Sequence, residues 1–253
     1  MFSIEFLPQT AFVFMLVFAR LASMVMLLPA IGENAVPAQV RIILAMLLTV
    51  IMTPLVSDSY SAIPVSVTGL AMTVIYEVLI GIFVGMSARL VMSALHVAGN
   101  IIAMQTGLAF AQNIDPMQGT QSALIANFLS MTAVTLMFVT GMHHLLIAAM
   151  RDSYVLFPPG EGFPVGDFLQ LAVQTISGAF VLGVQLASPF IVFGLVFYIG
   201  IGLLSKLMPQ IQIFFIAMPA NIFFGLSLFL LILGAMMTWF LQGFEQALHM
   251  FVR

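Results

Sequence analysis

The 253-residue chain has no cysteine. That excludes a disulfide frame and a thiolate metal site, and it leaves the redox compartment undetermined. Charge is nearly as scarce. Six Lys and Arg and nine Asp and Glu make up 6% of the residues, against roughly 25% in a soluble domain. The net charge of −3 excludes the clustered basic surface that nucleic acid needs. Catalytic patterns are absent too: there is no HExxH, no Walker loop, no GxSxG and no carboxylate cluster within one block. No catalytic residue, metal ligand or cofactor is therefore assigned, and the expectation is a protein that is not an enzyme.

What the chain does have is apolar sequence, 62% of it, with a mean hydropathy of +1.20. A buried core alone cannot account for that, so the class is membrane-embedded or membrane-associated. Hydrophobic blocks run over residues 8–28, 38–56, 67–99, 122–150, 168–204 and 211–248. Each exceeds the ~18 residues of a span, so the fold class is all-α, a hydrophobic multi-helix protein. The amino terminus is a poor cleavable signal. Glu5 stands where a basic residue belongs and the apolar run continues past Arg20, so the first helix is expected to stay in the mature protein. The third block as one helix would run about 50 Å, against ~30 Å of hydrocarbon. That predicts strong tilt, a kink, or burial in protein instead of lipid. Pro189 with Gly194, and Pro219 with Gly225, offer hinges in the last two blocks. Arg20, Arg41, Arg89, Arg151, Lys206 and Arg253 give almost no loop bias from which to read orientation.

Three charges lie deep in apolar sequence: Arg20, Glu77 and Arg89. Such charges face a bundle interior or water, usually in pairs. Glu77 and Arg89 are over three turns apart on one helix, which leaves Arg20–Glu77 as the plausible interhelical pair. It reads either as a packing ion pair or as a proton or ion relay. Gly81 and Gly85 form a GxxxG pattern that permits close helix approach, with a partner helix as the expected neighbour. His143 and His144 are adjacent, so they point about 100° apart and lack the i,i+3 or i,i+4 spacing of a metal pair.

The segment 101–121, IIAMQTGLAFAQNIDPMQGTQ, interrupts all this with amides and hydroxyls around a single Asp115-Pro116 and without Lys or Arg. By itself it reads equally as a solvent loop of turn residues.

Three stretches together resemble the FliR family of the flagellar type III secretion export gate, which has counterparts in virulence injectisomes. The first places Arg20 in a helix, followed by Pro29, Gly32, Pro37 and Arg41. The second is Gly107-LAFAQNI-Asp115-Pro116. The third runs Lys206-LM-Pro209-Gln210, then Pro219 and Gly225. Order, spacing, length and helix layout match over nearly the whole chain. The resemblance implies a FliP-like helical portion over 1–150, a connecting loop over 151–167 and a FliQ-like helical hairpin over 168–253. It further implies one copy completing a helical ring with FliP-type and FliQ-type subunits, beside FlhA-type and FlhB-type proteins. The location would be the bacterial inner membrane at the flagellar basal body, and the substrate unfolded exported protein. The segment 101–121 would be a plug loop in the central channel. Uncharged amides can close a wet pore with little desolvation penalty, while fixed charges would hold ions or substrate. The expected plug and gating residues are Met104, Gly107, Phe110, Gln112, Asn113, Asp115, Pro116 and Met117, with Phe110 as the apolar stopper. Lys206, Pro209 and Gln210 would mark the cytoplasmic entrance turn. The alternative from another class is a stand-alone small-solute or ion transporter that uses Arg20, Glu77 and Arg89.

Overall fold

The computed structural model describes residues 6–33, 36–60, 67–109, 124–159, 165–208 and 213–252. Among these, seven α-helices carry the chain: α1 (Phe6–Leu27), α2 (Ala38–Val56), α3 (Val67–Gln105), α4 (Leu124–Val139), α5 (His143–Leu156), α6 (Val165–Leu207) and α7 (Ile213–Leu248). Single 3-10 turns at Ser57–Ser59 and His249–Phe251 follow α2 and α7. No strand occurs among the described residues. Five helices are long and apolar enough to cross a membrane, or six if α4 and α5 together make one span.

The long blocks stay whole. α3 runs 39 residues and α6 runs 43, about 58 and 64 Å at ~1.5 Å per residue. Pro189 lies inside α6 and Pro219 inside α7 without ending either helix. The fourth block behaves differently. It breaks into α4 and α5, bent by 77°. Gly141, at φ +77°, makes the break, in a conformation that costs a side-chain-bearing residue about 1–2 kcal/mol. Its carbonyl meets the Nδ1 of His144 at 3.0 Å. Hydropathy is continuous across this turn, so the apolar pattern read it as one helix.

The turn after α1 explains one quoted motif. The amide of Gly32 donates to the Leu28 carbonyl at 2.7 Å. A Cβ at Gly32 would meet the carbonyl oxygens of Met26 and Leu28 at 2.5 and 2.8 Å, so only glycine fits there. Arg41, in the first turn of α2, reaches back to the Gly32 carbonyl at 3.4 Å.

The chain forms two compact units. One comprises Met1–Val91, Phe138–Ile176 and Phe244–Arg253, the other Met92–Met137 and Ser177–Gly243. Both draw on residues either side of the connecting segment 151–167. The first unit's core is built on α1, where Leu16, Val17, Leu21, Met24 and Val25 are almost fully enclosed. The second unit's core includes Leu95, Ile102, Leu129, Leu186, Phe190 and Phe240.

Candidate functional site: a buried arginine and an anchored helix end

In the first unit, Glu77, Gly81 and Gly85 follow each other at four-residue intervals along one face of α3. That face lies on α1. A Cβ at Gly81 would collide with the Ser23 hydroxyl and the Arg20 carbonyl, and one at Gly85 would stand 2.9 Å from the Leu27 Cβ. The close approach that GxxxG permits is therefore made within this chain, to α1, and not to a partner helix as the sequence reading expected.

One turn before Gly81, the same approach sets Glu77 against Arg20. The Nε of Arg20 donates to Glu77 Oε2 at 2.5 Å. The two remaining guanidinium nitrogens donate to the Ser153 carbonyl at 3.0 Å and the Phe157 carbonyl at 3.1 Å. These carbonyls stand at the carboxyl end of α5, where the last turn lacks internal donors and the helix dipole favours a cation. The guanidinium also stacks over the Tyr154 ring, 4.2 Å from its centroid, and Tyr60 packs edge-on against Tyr154. Burial, then the neighbouring Glu77 charge, pushes the Tyr60 phenol up, so it stays neutral. Arg20 is 0% exposed and Glu77 2%. The arrangement ties α1, α3, α5 and the residue after the 3-10 turn into one point. Arg89 takes no part: it is exposed and has no ion partner among the described residues. A relay through Arg20, Glu77 and Arg89 is thus not assembled.

In the second unit, the end of α3 rests on α6 and α7. Asn221, in α7, is 4% exposed, and its Nδ2 donates to the Gln105 carbonyl at 3.1 Å. Its Oδ1 is buried without a partner among the described residues. Thr106 is fully buried, and its hydroxyl donates back to the Ile102 carbonyl at 2.8 Å. A Cβ at Gly225 would stand 2.6 Å from Thr106 Cγ2, and one at Gly194 2.9 Å from Gln105 Cδ. Gly107, at φ +77°, then ends the helix beside Asn221, and Leu108 and Ala109 are helical again. Met104 is 56% exposed. Phe110, Gln112, Asn113, Asp115, Pro116 and Met117 lie outside the described residues, as do Pro209 and Gln210. Lys206 is exposed near the end of α6. No cluster that could hold a metal exists among the described residues.

Sequence reasoning picked out Arg20, Glu77 and Gly107. It missed Ser153, Tyr154 and Phe157, whose segment read as a linker, because two of the three contribute main-chain carbonyls that any residue type supplies. Asn221 was missed although it sits inside the quoted Pro219–Gly225 motif. A lone amide in an apolar helix was the available signal.

Helices of this length and apolarity, with their charges paired inside, define an all-α membrane protein. The sequence matches the family described as "Bacterial export proteins, family 1" over residues 11–247. It is 48% identical over 225 residues to the flagellar biosynthetic protein FliR of Caulobacter vibrioides, covering 88% of this chain and 90% of that one. It is 31% identical over 210 residues to FliR of Escherichia coli K12, covering 83% and 79%. The chain belongs to the FliR family of flagellar export proteins.

Proposed function

We propose that this chain is a structural, non-enzymatic subunit of the flagellar type III protein export gate. It forms part of the channel for unfolded flagellar proteins at the basal body in the inner membrane. FliP-type and FliQ-type subunits surround it, with FlhA-type and FlhB-type proteins alongside, and the driving force comes from partners. In this reading 1–150 is the FliP-like portion, 168–253 the FliQ-like hairpin, and the amide-rich stretch within 101–121 closes the channel at rest. The observation that carries the reading is the end of α3. A helix of 39 residues stops at a left-handed glycine, next to a buried amide that holds its last carbonyl. An uncharged segment follows it directly, as a plug on a firm stalk would require. The buried Arg20–Glu77 pair supports a packing role for those charges, since every guanidinium nitrogen is already bonded.

The test is removal of residues 110–119 from the full chain, co-expressed with its FliP-type and FliQ-type partners. Assembly should persist, and ions or small solutes should leak across the membrane through the mutant. A tight membrane in cells that carry normal amounts of the assembled mutant would sink the plug.

A further inference from the structure

We propose that Asn221 is a positioning residue for the gate. It holds the carboxyl end of α3 as a fixed anchor, so that movement of the following segment begins at Gly107. This rests on the gate reading above. Three contacts converge on two consecutive residues. The Asn221 amide holds the Gln105 carbonyl. Gly225 admits Thr106 closely from α7, and Gly194 admits Gln105 from α6. At both glycines any Cβ would overlap the α3 residue, so the end of α3 is clamped at a distance that only glycine allows. A helix's last carbonyls have no partner of their own; here a side chain from another helix supplies one. Such a clamp resists sliding or withdrawal, because each contact is short and enclosed and Thr106 is wholly buried. Gly107 is next in the chain. It has φ +77°, its ring of neighbours is the Asn221 amide and Ile222, and it is the first residue past the clamp. Glycine crosses between left- and right-handed conformations without steric penalty. The fixed part therefore ends at Thr106, and the pivot is Gly107.

The lack of cysteine makes a direct test available. A Cβ built at Gly194 lies 3.4 Å from the Gln105 Cβ, near the ~3.8 Å mean of a disulfide. Gln105→Cys with Gly194→Cys, oxidised in the assembled apparatus, welds the clamp shut. If the clamp is a fixed anchor, export of a flagellar protein proceeds at the reduced rate or within about twofold of it. Export that stops on oxidation and returns with a reductant would overturn the proposal, since the end of α3 must then move. Asn221→Leu, of similar volume but without the donor, is the second arm. Its complex should assemble and yet leak several-fold above the parent, and oxidation of the cysteine pair in the same chain should restore the seal. A complex with Asn221→Leu that stays tight, while deletion of 110–119 leaks, overturns the anchor and leaves the plug standing. If the deletion itself does not leak, the gate reading fails. The anchor is then decided by hydrogen exchange of the purified complex over residues 102–109. Exchange at least tenfold faster in Asn221→Leu supports it, and unchanged exchange removes it.

Discussion

At the scale of single residues, the molecule is organised around charges it cannot leave unpaired. Arg20→Met would strand the Glu77 carboxylate in a site 2% exposed, a loss of about 3–5 kcal/mol. The expected outcome is a sharp fall in thermal stability in detergent and in the amount of chain in the membrane. Glu77→Leu added to Arg20→Met should recover part of that loss, because the second substitution removes the stranded charge. A double variant no more stable than Arg20→Met would show that the two residues do not act as a pair. Tyr154 permits a finer measurement. Tyr154→Phe keeps the ring under the guanidinium and should be nearly neutral. Tyr154→Leu should lose about 0.5–2 kcal/mol of cation–π attraction, besides packing. The same thermal melts decide it.

At the scale of the elements, glycine sorts into positions that carry a crossing and positions that do not. Gly81 and Gly85 let α1 and α3 approach until Arg20 and Glu77 meet. Gly81→Leu must push the helices apart and should break the ion pair along with the packing, exceeding the ~1–3 kcal/mol of ordinary overpacking. Gly178, in α6, has nothing within 4 Å of its would-be Cβ. Gly178→Ala should therefore leave stability unchanged or raise it by about 0.5–1 kcal/mol, from helix propensity alone. Parallel unfolding curves of the two variants compare the effects directly, and similar losses from both would contradict the crossing described above. Gly141, at the 77° bend between α4 and α5, falls in the first class through backbone strain and not through a neighbour.

At the scale of the whole molecule, the outstanding property is how much apolar surface the chain leaves open. Along α2 alone, Ile43, Leu47, Ile51 and Leu55 are more than half exposed. Large side chains on α6 and α7, from Leu169 to Leu231, are exposed in the same way. Patches beyond a few hundred Å² mark a surface that meets lipid or another protein. On the gate reading protein covers much of it. The chain made alone should then yield little monodisperse material in mild detergent, and co-expression with FliP-type and FliQ-type proteins should give one copy in a large stable complex. Native mass of the tagged chain measures this. A well-behaved lone monomer would argue for a self-sufficient membrane protein instead.

The sequence by itself determined the class. Scarce charge and blocks longer than a span leave only an all-helical membrane protein, because backbone polar groups in apolar surroundings must bond within their own helix. It also determined which charges matter, since Arg20 and Glu77 could not sit in such sequence without partners. The tertiary structure alone decided who those partners are. The Ser153 and Phe157 carbonyls that complete the arginine's bonding leave no trace in residue type. The choice of α1 as the neighbour of Gly81 and Gly85 depends on a crossing that spacing cannot specify. The hold of Asn221 on Gln105 joins residues 116 apart in the chain. Hydropathy and periodicity report what a helix must bury, whereas the contacts that fix these sites are short, long-range and made largely by main chain, and only the packed fold brings them together.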